Sequence, residues 1–140
     1  MADPVNNFVE FYQGLGVGKP VLLNVVYDDD IEFIDPVHRM QGLDALQQYF
    51  DSLMQNVLSL KFQITDSIAS SDQAHLQWVM SYSHPKLASG KVIDVNGVSH
   101  IRFHNKVFYH RDFYDLGEML YEHVPVYGWF TRQLKSRLAG

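Results

Sequence analysis

The 140-residue chain contains no cysteine, which excludes disulfide bonds and thiolate metal sites. It has no general excess of basic charge, since its formal net charge is −5 at pH 7, so nucleic acid is not an expected partner. The most apolar stretch, from Val21 to Tyr27, is far too short to span a bilayer. The N-terminal residues also lack the pattern of a signal peptide. We therefore predict a cytoplasmic protein that binds no nucleic acid.

The chain also lacks internal repeats, low-complexity tracts and linkers, and its length is usual for one domain. Apolar residues make up 46% of it and aromatic residues 14%, a composition unlike that of disordered chains. We predict a single α+β domain over residues 1–140, with its core at about residues 5–120.

Three segments have helical patterns. Asp3 and Pro4 are typical of a helix start, and four apolar residues follow at helical spacing: Phe8, Phe11, Tyr12 and Leu15. Pro20 is expected to begin a second, short helix over residues 21–27. An amphipathic helix follows Gly42, with apolar positions at Leu43, Leu46, Tyr49, Phe50, Leu53 and Met54.

The centre of the chain has the period of two that is typical of strands. A short strand is predicted over residues 31–36, where Pro36 ends it. Residues 58–65 and 76–82 alternate apolar with polar side chains. Residues 92–103 and 106–114 are predicted as two further strands joined by a tight turn. Strands that are adjacent in sequence and joined by short turns form an antiparallel meander, and helices are expected to cover its apolar face.

Strand parity brings two carboxylates onto apolar faces. On the last strand Phe108, His110, Asp112 and Tyr114 are predicted to share one face, and on the short strand Ile31, Phe33 and Asp35 share another. A carboxyl group among apolar neighbours tends to have a raised pKa, which suits a general acid or base near neutral pH. The alternatives are that Asp35 forms the turn before Pro36, and that Asp112 pairs with an arginine or a hydroxyl group.

Two sequence motifs resemble those of a known superfamily. The first is Tyr-Asp-Asp-Asp-Ile-Glu-Phe-Ile-Asp-Pro at residues 27–36, followed by the helix after Gly42, and the second is His-Arg-Asp-Phe-Tyr-Asp-Leu at residues 110–116. Together they resemble the nuclear transport factor two-like superfamily, which includes ketosteroid isomerases, SnoaL-like polyketide cyclases and limonene epoxide hydrolases. The resemblance covers about residues 5–120. It implies a cone-shaped α+β barrel, with N-terminal helices packed on a curved, mainly antiparallel sheet around one deep apolar pocket, often in a homodimer.

The resemblance also implies roles for individual residues. Asp35 matches the proton-shuttling base of ketosteroid isomerases, and Tyr12 roughly matches their oxyanion-binding tyrosine. Ser99 occupies the place of their second oxyanion donor, a protonated aspartate, so that donor is missing. Asp112 matches the acid/base on the last strand of epoxide hydrolases. Their water-positioning Arg-x-Asp pair is replaced here by Trp78-Val79-Met80.

Two functions remain open. The first is a cofactor-free acid–base enzyme (isomerase, cyclase or hydrolase) acting on an apolar or polycyclic small molecule. Its catalytic residues would be Asp35 and Asp112, with Tyr12 or His110 orienting the substrate. The predicted substrate-binding residues are Phe33, Trp78, Met80, Tyr82, Ser99 and Phe108. The second function is a non-catalytic binding module for an apolar ligand or a partner protein.

Histidines and the C-terminal segment add weaker signals. The seven histidines lack the spacing of a metal site, so no metal is predicted. Residues of about 116–138 are predicted as a helical extension with an apolar stripe at Val126, Phe130, Leu134 and Leu138. We expect this stripe to dock on the barrel and partly cover the pocket mouth. Weak contact of its basic side with an anionic membrane surface is the less favoured alternative.

Overall fold

The computed structural model describes residues 3–119 and 134–139. Their elements are α1 (Pro4–Gln13), β1 (Tyr27–Ile34), β2 (Arg39–Gln41), α2 (Leu43–Asn56), β3 (Ser59–Ala69), β4 (Gln73–Ser83), β5 (Ile93–Phe103), β6 (Val107–Tyr114) and α3 (Leu116–Met119). Short 3-10 turns lie at Leu23–Val25 and Ala88–Gly90, and residues 134–139 are helical.

The starts of the two long helices confirm the sequence prediction. The Asp3 carboxylate accepts the N–H of Asn6 at 3.0 Å, which caps α1. Gly42 precedes α2 with φ +95°, a backbone conformation that glycine adopts without steric penalty. Both helices bury one apolar side against the sheet, through Phe8 and Tyr12 of α1 and Leu46 and Phe50 of α2.

The six strands form one curved sheet in the order β2-β1-β6-β5-β4-β3. The antiparallel meander predicted from the sequence is confirmed for β3 to β6. Strand β1 pairs in parallel with β6, with Phe33 opposite His110, and this pairing was not predicted. It sets the end of β1 beside the end of β6, and so brings two segments that are distant in sequence to one place.

The predicted second helix over residues 21–27 is wrong, apart from the single turn at Leu23–Val25. Strand β1 already begins at Tyr27, and it is longer at its start than the predicted strand. The N–H of Val107 donates to the carbonyl of Val26 at 2.9 Å. Pairing with β6 therefore overrides the weak helical tendency of this short apolar segment. The strand tolerates the acidic run because Asp29 and Asp30 are exposed.

A bulge in β6 changes the predicted position of Phe108. The register shifts between Arg102 and Phe103, so that Phe103 pairs with Val107 and Arg102 with Tyr109. Val107 is fully buried, whereas Phe108 is half-buried and its ring stacks on exposed His104 at a centroid distance of 4.8 Å. The predicted parity is wrong for Phe108, because the extra residue of a bulge moves it off the inner face.

The C-terminal stripe is described only in part. Val126 and Phe130 lie outside the described residues, while Leu134 and Leu138 are 51% and 87% exposed. The predicted docking is therefore wrong for these two leucines. The Lys135 ammonium lies 2.7 Å from the Asp115 carboxylate. In the described ranges, no helix combines the length and apolar character needed to cross a membrane.

Candidate functional site

Four side chains from α1, β1 and β6 form a hydrogen-bonded chain in the core, which we call the Tyr12–Asp112 chain. The hydroxyl groups of Tyr12 and Tyr27 are 2.6 Å apart, and the Tyr27 hydroxyl lies 2.7 Å from Nδ1 of His110. Nε2 of His110 lies 2.6 Å from Oδ1 of Asp112. His110 is completely buried, and its Nε2 also lies 3.2 Å from the Ser99 hydroxyl oxygen.

In the Tyr12–Asp112 chain, each donor points towards the Asp112 end. Burial raises the pKa of Tyr12 and of Tyr27 well above the usual value for tyrosine, so both hydroxyl groups keep their protons and can donate. An ionised carboxylate only accepts, so Nε2–H of His110 donates to Asp112. When the imidazole is neutral, its Nδ1 accepts from Tyr27, and Tyr27 in turn accepts from Tyr12. These hydrogen bonds fix the tautomer of the neutral His110 ring.

A second set of donors reaches Asp112 from β4 and β5. The Ser99 hydroxyl donates to Oδ1 of Asp112 at 2.5 Å, and Nε1–H of Trp78 donates to the Ser99 oxygen at 2.8 Å. The Asp112 side chain is 15% exposed. Its Oδ2 has no hydrogen-bond partner among the residues that the structure describes. One oxygen of this carboxylate is thus held in place while the other is available.

Gly97 makes room for the Trp78 ring. It lies opposite Trp78 on β4 and opposite Tyr114 on β6. A Cβ atom at Gly97 would be 2.2 Å from Cη2 of the indole, far inside van der Waals contact. The absence of a side chain at Gly97 therefore lets the indole lie across β5 and reach Ser99.

Asp35, at the turn after β1, is more completely engaged than Asp112. Its Oδ1 accepts the backbone N–H groups of Val37 at 2.8 Å and His38 at 2.6 Å. Its Oδ2 accepts the Tyr49 hydroxyl at 3.2 Å, and Nδ1 of His38 lies 3.2 Å from Oδ1. Only 2% of the side chain is exposed. The turn-forming interpretation of Asp35 is confirmed, while its catalytic role stays a prediction.

The charges of the two carboxylates affect the pKa of the same tyrosines. Phe33 and His110 lie opposite each other on the parallel strands β1 and β6. Asp35 and Asp112 each lie two residues further along these segments. Burial, followed by the charges of Asp35 and Asp112, raises the pKa of Tyr114. Burial, Asp35 and, more weakly, Asp112 raise the pKa of Tyr49. Both acids therefore act electrostatically on one small region.

Three tyrosines of this region were not among the predicted site residues. Tyr114 could have been included, because it shares strand parity with His110 and Asp112. Tyr49 lies on the apolar stripe of α2, where nothing in the pattern distinguishes it from a core residue. Tyr27 was assigned to a helix that does not form, so its position beside His110 could not be inferred.

A pocket of about 420 Å³ opens between α2 and strands β3 and β4. Its walls include apolar side chains of Leu53, Val57, Leu60, Met80 and Leu87, and its polar groups include those of His38, Tyr49, Tyr82 and His84. Of the predicted substrate-binding residues, Met80 and Tyr82 line this pocket. The ring of Phe33 packs against His110 at 4.7 Å and against Tyr49 at 5.8 Å.

The other histidines of the described residues do not assemble into a metal site. Within residues 3–119 and 134–139, no three histidine, aspartate or glutamate side chains are grouped as ligands. His75 and His100 stack on the outer face of the sheet, with ring centroids 4.3 Å apart. Burial, and then the neighbouring His75 and Arg102, lower the pKa of His100.

Comparisons with known proteins agree with this architecture. The family model of the SnoaL-like domain matches residues 8–110, while the comparison with curated proteins gave no match. A protein with a ketosteroid isomerase-like fold from Catenulispora acidiphila, solved in complex with trimethylamine, is 15% identical with a TM-score of 0.72, and the match covers 84% of this chain and 89% of that one. An NTF2-like protein of unknown function from Burkholderia pseudomallei is 15% identical with a TM-score of 0.70, covering 86% and 96%.

A putative SnoaL-like polyketide cyclase from Jannaschia sp. CCS1 is also 15% identical, with a TM-score of 0.68 and coverage of 81% of this chain and 85% of that one. At such low identity, the likeness of these structures establishes the fold alone. It confirms the α+β fold that the sequence motifs predicted.

Proposed function

The chain belongs to the SnoaL-like domain family, and we propose that it is a cofactor-free acid–base enzyme that acts on an apolar small molecule. The proposal depends on the hydrogen bonds of the two carboxylate oxygens of Asp112. Its Oδ1 is held by His110 and Ser99, whereas Oδ2 has no partner in the part of the chain that the structure describes. A carboxylate held in this way is oriented to accept a proton from a ligand.

The surrounding groups support a proton transfer at Asp112. His110 is itself fixed by Tyr27 at its other nitrogen, so the orientation of the carboxylate does not depend on mobile solvent. Removal of a proton leaves negative charge on the ligand, which needs a donor aimed at it. The Tyr114 hydroxyl can supply one, because burial and the two carboxylates raise its pKa and keep it protonated.

The pocket supports an apolar ligand of modest size. Its volume of about 420 Å³ is within the range of small-molecule sites, about 300–1,000 Å³. Tyr49 belongs to the pocket wall and is also influenced by the charge of Asp112. Asp112 is not among the residues that line the pocket, so the proposal requires a ligand that lies against the apolar wall and reaches past Tyr49 to this carboxylate.

Proton exchange on a simple ketone tests the proposal. The native protein is expected to accelerate deuterium incorporation next to the carbonyl of 2-tetralone in D₂O, followed by NMR. Asp112→Asn should lower the rate about 1,000-fold with an unchanged circular dichroism spectrum. Asp94→Asn, a change of an exposed aspartate on β5, is the matched control. Full activity of Asp112→Asn would contradict the proposal.

A binding module without catalysis is the second candidate. It is favoured by the saturation of Asp35, whose two oxygens are both engaged by protein donors. Mass spectrometry of the purified protein distinguishes the two functions, since a binding module would release a bound apolar compound unchanged after long incubation. The homodimer, the cytoplasmic location and the weak membrane contact stay predictions.

A further inference from the structure

We propose that His38 and His84 form a second catalytic pair in the 420 Å³ pocket, in which His38 accepts a proton and His84 donates a hydrogen bond to the oxygen that becomes negative. The inference rests on the proposed function, because it needs a ligand in this pocket. Neither histidine was predicted as a site residue, and both lie outside the Tyr12–Asp112 chain.

The bond to Asp35 fixes the tautomer of His38. The Asp35 carboxylate accepts the N–H groups of Val37 and His38 and the hydroxyl of Tyr49. It acts as an acceptor in all of these contacts, so Nδ1 of His38, 3.2 Å from Oδ1, acts as the donor. A neutral imidazole with its proton on Nδ1 has a free lone pair on Nε2. With 44% of the His38 side chain exposed, that edge of the ring is accessible.

A backbone bond fixes the opposite tautomer of His84. The N–H of Lys86 donates to Nδ1 of His84 at 3.0 Å. An amide N–H cannot accept a hydrogen bond, so Nδ1 of His84 carries the lone pair and Nε2 carries the proton. The pocket therefore contains one imidazole that presents an acceptor and one that presents a donor.

Opposite tautomers suit a ligand that needs both a base and a hydrogen-bond donor. For an apolar ketone, Nε2 of His38 would take a proton from the carbon next to the carbonyl. Nε2–H of His84 would donate a hydrogen bond to the carbonyl oxygen, and the product would be an enolate held by this bond. The negative charge of the enolate is balanced by the imidazolium of His38, and return of a proton to the carbon restores the ketone and the neutral imidazole. Asp35 does not touch the ligand and is a positioning residue, because it holds Nδ1–H and stabilises the imidazolium of His38.

The class of ligand that fits this pair is an apolar ketone of two or three rings, or its enol. Leu53, Leu60 and Met80 supply the apolar surface, and the Tyr49 ring packs edge-to-face on His38 at 4.9 Å, which limits its rotation. The pair would act on the same ligand as Asp112, so that loss of either base slows the exchange.

The tautomers can be measured on the ligand-free protein. Long-range ¹H–¹⁵N NMR spectra are expected to show the Nδ1–H form for His38 and the Nε2–H form for His84. Asp35→Asn should convert His38 partly to the Nε2–H form and leave His84 unchanged. A dominant Nε2–H form of His38 in the native protein, or Nδ1–H form of His84, would overturn the proposal.

Deuterium incorporation into 2-tetralone distinguishes this proposal from the proposed function of Asp112. His38→Gln and His84→Gln are each expected to slow exchange about 100-fold, and His104→Gln, at an exposed turn, should have no effect. Added imidazole should restore part of the activity of His38→Ala but none of the activity of Asp112→Asn. If only Asp112→Asn loses activity, the histidine pair is refuted and the proposed function stands. If the native protein does not accelerate exchange at all, both are refuted.

Discussion

The two carboxylates of the site have the same chemistry but are held in opposite ways. Asp35 is surrounded by donors from residues that are close in sequence, Val37 and His38, with Tyr49 added from α2. Asp112 is held by His110 and by Ser99, which comes from the neighbouring strand. The first arrangement leaves neither oxygen free, and the second leaves one oxygen for a ligand. A carboxylate whose position matches a family motif therefore cannot be given a role until its donors are known.

The difference has a physical origin. A turn supplies backbone N–H groups that have no partner in the sheet, and a carboxylate there satisfies them. A carboxylate on a strand finds the backbone already paired, so its donors must be side chains brought by other strands. Its orientation then depends on packing over the whole sheet. The predictions for Gly97, Tyr27 and Asp35 each disturb one of these two arrangements.

The largest effect is expected from Gly97→Ala, which disturbs the long-range arrangement. The new methyl group would overlap the Trp78 ring, 2.2 Å away, and the indole would have to move away from Ser99. We expect a loss of about 3 kcal/mol in the free energy of unfolding, as for overpacked cores, measured by urea denaturation.

Gly16→Ala is the matched control for this change. Its Cβ atom would meet only the flexible Lys19 side chain, at 3.4 Å, so a change of at most about 0.5 kcal/mol is expected. Equal effects of the two substitutions would show that Trp78 does not depend on Gly97.

Tyr27→Phe breaks the Tyr12–Asp112 chain at its middle. The substitution leaves the Tyr12 hydroxyl and Nδ1 of His110 without their shared partner in a fully buried place. A loss of about 2 kcal/mol in the free energy of unfolding is expected, while Nε2–H of His110 still donates to Asp112 and its tautomer in NMR spectra should not change. Tyr109→Phe, on the outer face of β6, should change stability by less than about 0.5 kcal/mol. A change of His110 to the Nδ1–H form in Tyr27→Phe would show that Tyr27, and not Asp112, determines the position of the proton.

Asp35→Ala tests the local arrangement. The backbone N–H groups of Val37 and His38 lose a charged acceptor, and we expect a loss of about 1.5 kcal/mol in the free energy of unfolding. Asp35→Asn keeps an oxygen for these N–H groups and should cost less than about 1 kcal/mol. Asp29→Ala, at an exposed position of β1, is the control. If Asp35→Asn is as unstable as Asp35→Ala, the turn does not depend on these bonds.

The same distinction explains what the sequence could predict. The helix starts at Asp3 and Gly42 and the turn at Asp35 depend on residues within a few positions of each other, and the meander of β3 to β6 pairs strands that are neighbours in sequence. Periodicity and local residue preferences therefore predicted them. The resemblance of the two motifs supplied the cone-shaped arrangement that local patterns could not.

What could not be predicted depends on contacts between distant segments. The parallel pairing of β1 with β6 joins Tyr27 and His110, which are 83 positions apart, and no local pattern indicates it. The bulge at Phe108 shifts strand parity by one residue without a glycine or proline to mark it. The tautomers of His38 and His84 follow from single hydrogen bonds, which have no signature in the sequence.

The smallest effect is expected for the pKa of His100, an imidazole on the outer face of the same sheet that has no carboxylate partner in the described residues. Burial lowers the pKa of His100, and the neighbouring His75 and Arg102 lower it further. His75→Gln removes one of these causes, so the pKa of His100 should rise towards the ordinary value of about 6.5 but not reach it. Because the folded-state pKa is lowered, the unfolded chain binds a proton more readily, and His100 opposes folding as the pH falls through this range. His75→Gln should therefore reduce the loss of stability at acidic pH, and NMR titration of His100 measures the shift directly. An unchanged titration would mean that the stacked ring of His75, 4.3 Å away, contributes no charge repulsion, and that burial and Arg102 alone set the behaviour of this face.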